Sequence, residues 1–321
     1  SFETPSLKHN TAEAERLIQA LRSHLNTPAI KIDLDLLKAL PTVLRHSRFN
    51  VRCVLFKEKQ HWVLIGITDA KETPRIAGLA IDLGTTRVVL RLLDLATGAT
   101  LAESAFDNPQ EKIGPDILAR IHFAEKENGL RELNERIVSG LNSAIAHLCM
   151  SQQLEPEHIY ALAVAGNTTM THLFMGLNPR WIIREPYIPA VNAPGAVKAD
   201  ALGLQVHPRA RVLIFPNIGS YFGGDLIAGI LYSGIHHNAQ TGILVDVGTN
   251  AEVVLGNKNW LIACAGAAGP ALEGGVTRMG MTAGPGVIDQ ISLETDRFEF
   301  NIHTIDDLPP KDAIRQGRVK K

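Results

Sequence analysis

Apolar residues fall first into a helical rhythm. Ala14, Leu17, Ile18, Leu21 and Leu25 share one face of a helix expected over residues 12–25, with residues 26–28 (NTP) as its stop. A second short helix is expected over 34–44. Two strands are expected over 51–56 and 62–67, around a polar turn at 57–60. Residues 1–76 thus make a small α+β domain closed by a linker at 73–75 (TPR). His24, His46 and His61 have no metal-ligand spacing there.

The rhythm then changes to strands. Residues 78–82 (GLAID) form an apolar run ending in an acid, followed by Leu83, Gly84, Thr85 and Thr86. Two further strands follow, over 88–93 and 100–105, so the first turn of a β-meander is tight, glycine-bearing and rich in hydroxyls. Residues 242–246 (GILVD) repeat the pattern, followed by Val247, Gly248, Thr249 and Asn250, with strands over 251–255 and 260–263. One Asp-x-Gly-Thr is a weak signal, whereas two copies with the same strands around them are a strong one.

Between the copies, strands and helices alternate. Leu130, Leu133, Ile137, Leu141, Ile145 and Leu148 line one face of a helix over 130–149. A buried strand is expected over 159–165, opening through Gly166 and Asn167 into a helix that ends at Phe174. Another strand is expected over 212–215 and another helix over 224–233. Meander, then βα alternation, then meander again describes two similar α/β lobes facing a cleft.

Composition narrows the chemistry. The 321 residues are 45% hydrophobic, which supports two or three domains, and carry a net charge of −1. That charge lacks the basic excess that drives phosphate-backbone binding, so nucleic acid is not an expected partner. Cys53, Cys149 and Cys264 stand far apart, which excludes a disulfide framework and a cluster built by this chain alone. The longest apolar runs, 226–235 and 261–272, are too short to span a bilayer, so no membrane partner is expected. A reducing, cytoplasmic setting is the expectation. The basic stretch at 311–321 (KDAIRQGRVKK) is expected to be a solvated tail.

The repeated hairpin has a physical logic for polyphosphate. Gly84 and Gly248 let backbone N–H groups approach phosphate oxygens, and Thr85, Thr86, Thr249 and Asn250 donate to the same oxygens. Asp82 and Asp246 are placed to hold Mg²⁺ through water and to serve the attacking water. Asn167, Thr168 and Thr169 either face an anion or simply cap a helix. Asp225 either orients the attacking water or a Mg²⁺-bound water, or complements a helix dipole. Glu252 shares a strand face with Asn250 and is either a base or a solvated acid. Glu273, in a glycine-rich loop, is a candidate for lining the cleft, and Cys264 is expected to be packed. The adjacent His236 and His237 follow a helix end, where cations suit the dipole.

The paired hairpins resemble those of the actin, sugar kinase and heat-shock-70 ATPase superfamily. The segments 78–86 (GLAIDLGTT), 108–110 (NPQ), 114–121 (GPDILARI), 166–172 (GNTTMTH), 216–225 (PNIGSYFGGD), 244–252 (LVDVGTNAE) and 269–283 (GPALEGGVTRMGMTA) sharpen the resemblance to reductive activators of corrinoid proteins. It runs to about residue 310. It implies an α/β chain of two ribonuclease-H-like lobes, the actin-like ATPase fold, preceded by the small α+β domain. The lobes are expected over 77–240 and 241–321, the second incomplete because no late glycine-rich adenosine turn is visible after Asn250.

The resemblance also implies ATP and Mg²⁺ as cofactors and hydrolysis coupled to reduction of Co(II) to Co(I) on a corrinoid protein partner. An iron–sulfur domain would deliver the electron. With no cysteine cluster here, that domain is expected outside this chain, which reads as truncated at both ends. Asn108, Gln110, Asp116 and Arg120 matter through this resemblance alone. A homodimer is compatible with it. Two alternatives remain: a metabolite kinase of the same superfamily, and a nucleotide-sensing binding module that hydrolyses nothing.

Overall fold

The computed structural model describes residues 2, 4–6, 8, 10–26, 29–248, 250–267, 284–294 and 299–307. The chain divides into two compact units, Ser1–Ile227 and Ala228–Lys321.

The first unit opens with α1 (Glu13–Leu25), β1 (Ile30–Ile32), α2 (Leu34–His46), β2 (Val51–Glu58) and β3 (His61–Asp69). The strands form a sheet of order β1-β3-β2, β1 lying parallel to β3. Leu17, Leu36, Leu40, Leu44, Phe49 and Leu64 close a small core between helices and sheet. Both helices match their apolar spacing. The three-residue β1 was not anticipated, being too short to show alternation. Residues 27 and 28, expected to stop α1, lie outside the described residues.

The main sheet follows. β4 (Ala77–Leu83), β5 (Arg87–Asp94) and β6 (Thr100–Asp107) form the expected antiparallel meander. After α3 (Ile117–Ala124) and α4 (Gly129–Ser151), β7 (Ile159–Ala165) pairs parallel to β4. After α5 (Thr168–Phe174) and the short edge strand β8 (Gly195–Lys198), β9 (Arg211–Ile214) pairs parallel to β7. The order β6-β5-β4-β7-β9-β8 is the ribonuclease-H-like arrangement of the actin-like ATPase fold. Leu79, Ile81, Leu83, Leu90, Leu162 and Val164 are buried, and α4 packs on them through Leu133, Ile137, Leu141 and Ile145. Cys149 belongs to this core, and burial pushes its thiol up to about 11, so it is a packing residue.

Charged groups anchor the N-terminal elements to this sheet. Arg211, 4% exposed, donates from Nε to Glu58 at 2.6 Å and from Nη2 to Asp33 at 3.4 Å. Lys198 meets Asp33 at 3.0 Å, and Arg209 bridges Asp35 (3.0 Å) and the Ile65 carbonyl (2.9 Å). Burial raises the Asp33 carboxyl, but Lys198 and Arg211 together outweigh it and leave the group below its usual range. Val63, Ile65 and Tyr160 seal the same contact with apolar surface.

α6 (Gly224–Ser233) begins in the first unit and runs into the second. The second unit holds the antiparallel sheet of β10 (Gly242–Val247), β11 (Asn250–Asn257) and β12 (Trp260–Ala267), and the hairpin of β13 (Ile288–Glu294) and β14 (Glu299–Thr304). The meander therefore recurs. Leu83 pairs with Val88 in the first copy and Val247 with Ala251 in the second, so the second hairpin closes with one residue fewer. On β10, Ile243, Val245 and Val247 are exposed, and Cys264, expected to be packed, is exposed as well. Among the described residues, no helix is long and apolar enough to cross a membrane.

Two buried histidines give this fold a pH signature. His172 is fully buried, and burial depresses its pKa. His207 stacks on Tyr160 and accepts at Nδ1 from the Arg209 N–H; burial and the Arg209 charge bring it to about 4. The unfolded chain therefore binds more protons than the folded one below pH 6.5. The melting temperature should be flat above pH 6.5 and fall as pH drops from 6.5 toward 4, with a shallower fall in His207→Asn. Thermal melts across pH 8 to 4 check this, and a flat profile down to pH 4.5 contradicts it.

Candidate functional site

The parallel strands β4, β7 and β9 end on the same side of the sheet, where α/β proteins gather their ligand loops. Three loops meet there: residues 84–86, residues 166–167, and residues 215–223 leading into α6. Their backbones touch. The Gly224 N–H donates to the Gly166 carbonyl at 2.8 Å, and a Cβ on Gly223 would lie 2.4 Å from Asn167 Cα. Only a glycine at 223 allows that approach, and it brings Asp225 beside Asn167.

The first hairpin is held from behind. Asn108 donates from Nδ2 to the Gly84 carbonyl at 2.9 Å, and Arg120 donates from Nη2 to the Thr85 carbonyl at 2.7 Å. Across a planar trans peptide the N–H points opposite to the C=O. With both carbonyls turned toward Asn108 and Arg120, the N–H groups of Thr85 and Thr86 face the other way. Asn167 donates from Nδ2 to Thr85 Oγ1 at 2.9 Å, which leaves the Thr85 hydroxyl proton to be given elsewhere. Thr86 and Asp82 are exposed. The hairpin thus presents donors beside a carboxylate, a set that suits a polyphosphate with a hard divalent cation.

The expected site residues fall into three groups. Asp82, Gly84, Thr85, Thr86, Asn167 and Asp225 come together at the strand ends of the first unit. Asp225 accepts from the Leu226 N–H at 2.9 Å at the start of α6. Asp246 and Gly248 lie on the second unit's hairpin, with Asp246 directly opposite Glu252 across the β10–β11 ladder. Thr249, Glu273 and the whole 269–283 segment lie outside the described residues, as does the Asn250 side chain.

Three of these positions also have structural roles. Thr168 is 1% exposed and its hydroxyl donates to the Gly219 carbonyl at 3.2 Å. It braces the loop before α6. Asn167 caps α5, accepting from the Met170 N–H at 2.9 Å, one of the two roles the sequence leaves open. At Gly84 a Cβ would sit 2.1 Å from the Arg87 carbonyl oxygen, so the turn itself demands glycine.

Asn108, Gln110 and Arg120 had no chemical reading of their own in the sequence. All three are buried and form one network behind the hairpin. Gln110 donates from its side chain to the Leu133 carbonyl at 2.8 Å, and its N–H donates to Asn108 Oδ1 at 3.0 Å. The sequence did carry the α3 signal, since Asp116 caps that helix by accepting from the Ala119 N–H at 2.8 Å. His236 and His237 lie in a 3-10 turn after α6, rings 3.9 Å apart, and among the described residues no three His, Cys, Asp or Glu side chains converge.

The sheet order and strand-end hairpin define an actin-like ATPase fold. The chain belongs to the RACo family. The model of the RACo linker region matches residues 1–73, that of the RACo middle region matches 77–238, and that described as the C-terminal domain of RACo, the ASKHA domain, matches 240–314. The chain is 30% identical over 295 residues to the corrinoid activation enzyme RamQ of Eubacterium limosum, covering 87% of this chain and 49% of that protein. It is 26% identical over 230 residues to the [Co(II) methylated amine-specific corrinoid protein] reductase of Methanosarcina barkeri, covering 68% and 41%. A solved reductive activator for corrinoid, iron–sulfur protein superposes with a TM-score of 0.80 at 36% identity, covering 96% of this chain and 49% of that one. The chain spans less than half the length of each of these relatives.

The backbone contact at Gly223 gives a direct test. Gly223→Ala should cost about 3 kcal/mol, roughly 10 °C in melting temperature, because backbone must move to admit the methyl group. Gly229→Ala, whose added Cβ meets nothing nearer than Leu244 Cδ2 at 3.6 Å, should be neutral or slightly stabilising. Calorimetric melts compare the two, and equal effects contradict the packing described.

Proposed function

We propose that this chain is the ATP-binding portion of a reductive activator of corrinoid proteins. ATP hydrolysis is coupled to one-electron reduction of an inactive Co(II) corrinoid on a partner protein to Co(I). The electron comes from an iron–sulfur cluster in a domain outside these 321 residues, which is oxidised in the step. The setting is the cytoplasm. Membership of the RACo family supports this, as do the names of the relatives, which describe corrinoid activation and Co(II) corrinoid protein reduction.

The observation that carries the reading is the first hairpin, with its carbonyls tied back and its donors turned outward. Bound Mg²⁺ would neutralise charge on the phosphate oxygens. Asp82 is proposed to hold it through water, which a carboxylate at an open strand end can do without dehydrating the ion. Gly84, Thr85 and Thr86 hold phosphate oxygens through backbone N–H and hydroxyl donors. Asn167 keeps the Thr85 hydroxyl oriented. Asp225, on α6, orients the attacking water. Asp246, Gly248, Thr249 and Asn250 are proposed as a second phosphate hairpin with the same division of roles, and Glu273 as a residue that lines the nucleotide site. The proposed domains are 1–76 as linker, 77–240 as the first lobe and 241–321 as the second.

Isothermal titration of the full chain with Mg–ATP tests this. One binding event is expected, weakened about tenfold or more in Asp82→Ala, with phosphate released from ATP without a phosphorylated small-molecule acceptor. No binding, or transfer of the phosphoryl group to a metabolite in stoichiometric yield, contradicts it.

A further inference from the structure

Arg120 is fully buried in α3, and four contacts engage all three guanidinium nitrogens. Nε donates to the Gly114 carbonyl at 2.8 Å, and Nη2 to the Thr85 carbonyl at 2.7 Å. Nη1 reaches Gln110 Oε1 at 3.3 Å and Met170 Sδ at 3.1 Å. Every one of these acceptors is neutral. The nearest carboxylates act only through space: Glu111 and Asp116 favour the charged form, and Asp116 already uses Oδ1 to cap α3. Burial dominates and lowers the pKa to about 10, so the group still carries its charge at neutral pH.

A buried cation with only neutral partners is expensive. A methionine of similar volume would fill the same space without the desolvation cost. What the guanidinium supplies that methionine cannot is a positive charge with no hydrogen-bonded counter-ion and a fork of fixed geometry. One arm of the fork, Nη2, meets the peptide that links Thr85 to Thr86, while the other arms, on Gly114, Gln110 and Met170, hold the guanidinium in place for it. The bond to the Thr85 carbonyl fixes that peptide's direction and polarises it, which makes the Thr86 N–H on its far side a stronger donor. The charge itself lies behind the hairpin in a low-dielectric environment, where its field at the donor side is weakly screened.

We propose that Arg120 is a positioning residue for polyphosphate, aiming and strengthening the Thr86 N–H and lending the hairpin a positive field from its buried side. This rests on the reading of residues 84–86 as a phosphate hairpin. Arg120 touches no ligand. It acts through the 85–86 peptide, while Asn108 performs the uncharged version of the same task on the 84–85 peptide.

The test is isothermal titration of the full chain with Mg–tripolyphosphate and with Mg–ATP, in wild type, Arg120→Lys, Arg120→Gln and Leu44→Ala. Leu44 lies in the separate N-terminal core, so that variant controls for loss of stability alone. Circular dichroism and melting temperature are recorded for each. Arg120→Lys keeps the charge and loses the fork, so affinity for both ligands should fall about tenfold. Arg120→Gln should lose about a hundredfold, and Leu44→Ala should bind as wild type despite a lower melting temperature. Should Arg120→Gln fail to fold, Arg120→Lys carries the test. Wild-type affinity in a folded Arg120 variant overturns the proposal and leaves the phosphate hairpin standing. Absence of wild-type binding to both ligands overturns the hairpin reading, and this inference with it.

Discussion

A tight hairpin at the end of a buried strand has backbone carbonyls that must find partners, and the way they do so governs this molecule's open edge. Water is a poor partner for the inward side of residues 84–86, because the sheet and α3 close over it. Asn108 and Arg120 fill that need. Once the carbonyls are committed inward, planarity of the peptide commits the N–H groups outward. The donor-rich surface is thus a consequence of a satisfaction rule applied to its reverse side.

The same sheet joins the site to the N-terminal elements. β9 begins with Arg211, held by Glu58 and Asp33, and its far end leads into the loop that carries Gly223 and delivers Asp225 at the start of α6. β9 is four residues long, roughly 13 Å of strand, with the ionic anchor at its first residue and the site's loop after its last. Apolar packing of Val63, Ile65 and Tyr160 fills the rest of the contact, so the N-terminal domain is fastened to the main sheet by surface and by charge.

Much of this was legible in the residues. The meanders, β7, α4 and α6 announced themselves because strand alternation and helical spacing each ran for several residues. The strands β1 and β8, three and four residues long, gave too few positions for a period. β13 and β14 were not anticipated, and a register irregularity between Ile288 and Gln290 breaks the alternation of the first. The structural roles of Thr168 and Gly84 were hidden for one reason. A hydroxyl or a glycine near a turn looks the same in sequence whether it serves a ligand or the chain's own carbonyls. Arg120 was opaque for a related cause, since nothing in the sequence distinguishes an arginine buried among neutral acceptors from one on a solvated helix face. The exposed apolar positions of β10 were equally invisible, because alternation reveals a face and not what covers it.

The claim at the centre is that the N–H groups of Thr85 and Thr86 are phosphate donors. The most direct measurement follows the backbone amide resonances of the ¹⁵N-labelled chain while Mg–ATP is added. The account predicts that Thr85 and Thr86 shift downfield together, saturably, and ahead of the amides of the N-terminal sheet. Unmoved Thr85 and Thr86 resonances, with nucleotide bound and shifts elsewhere, would contradict it.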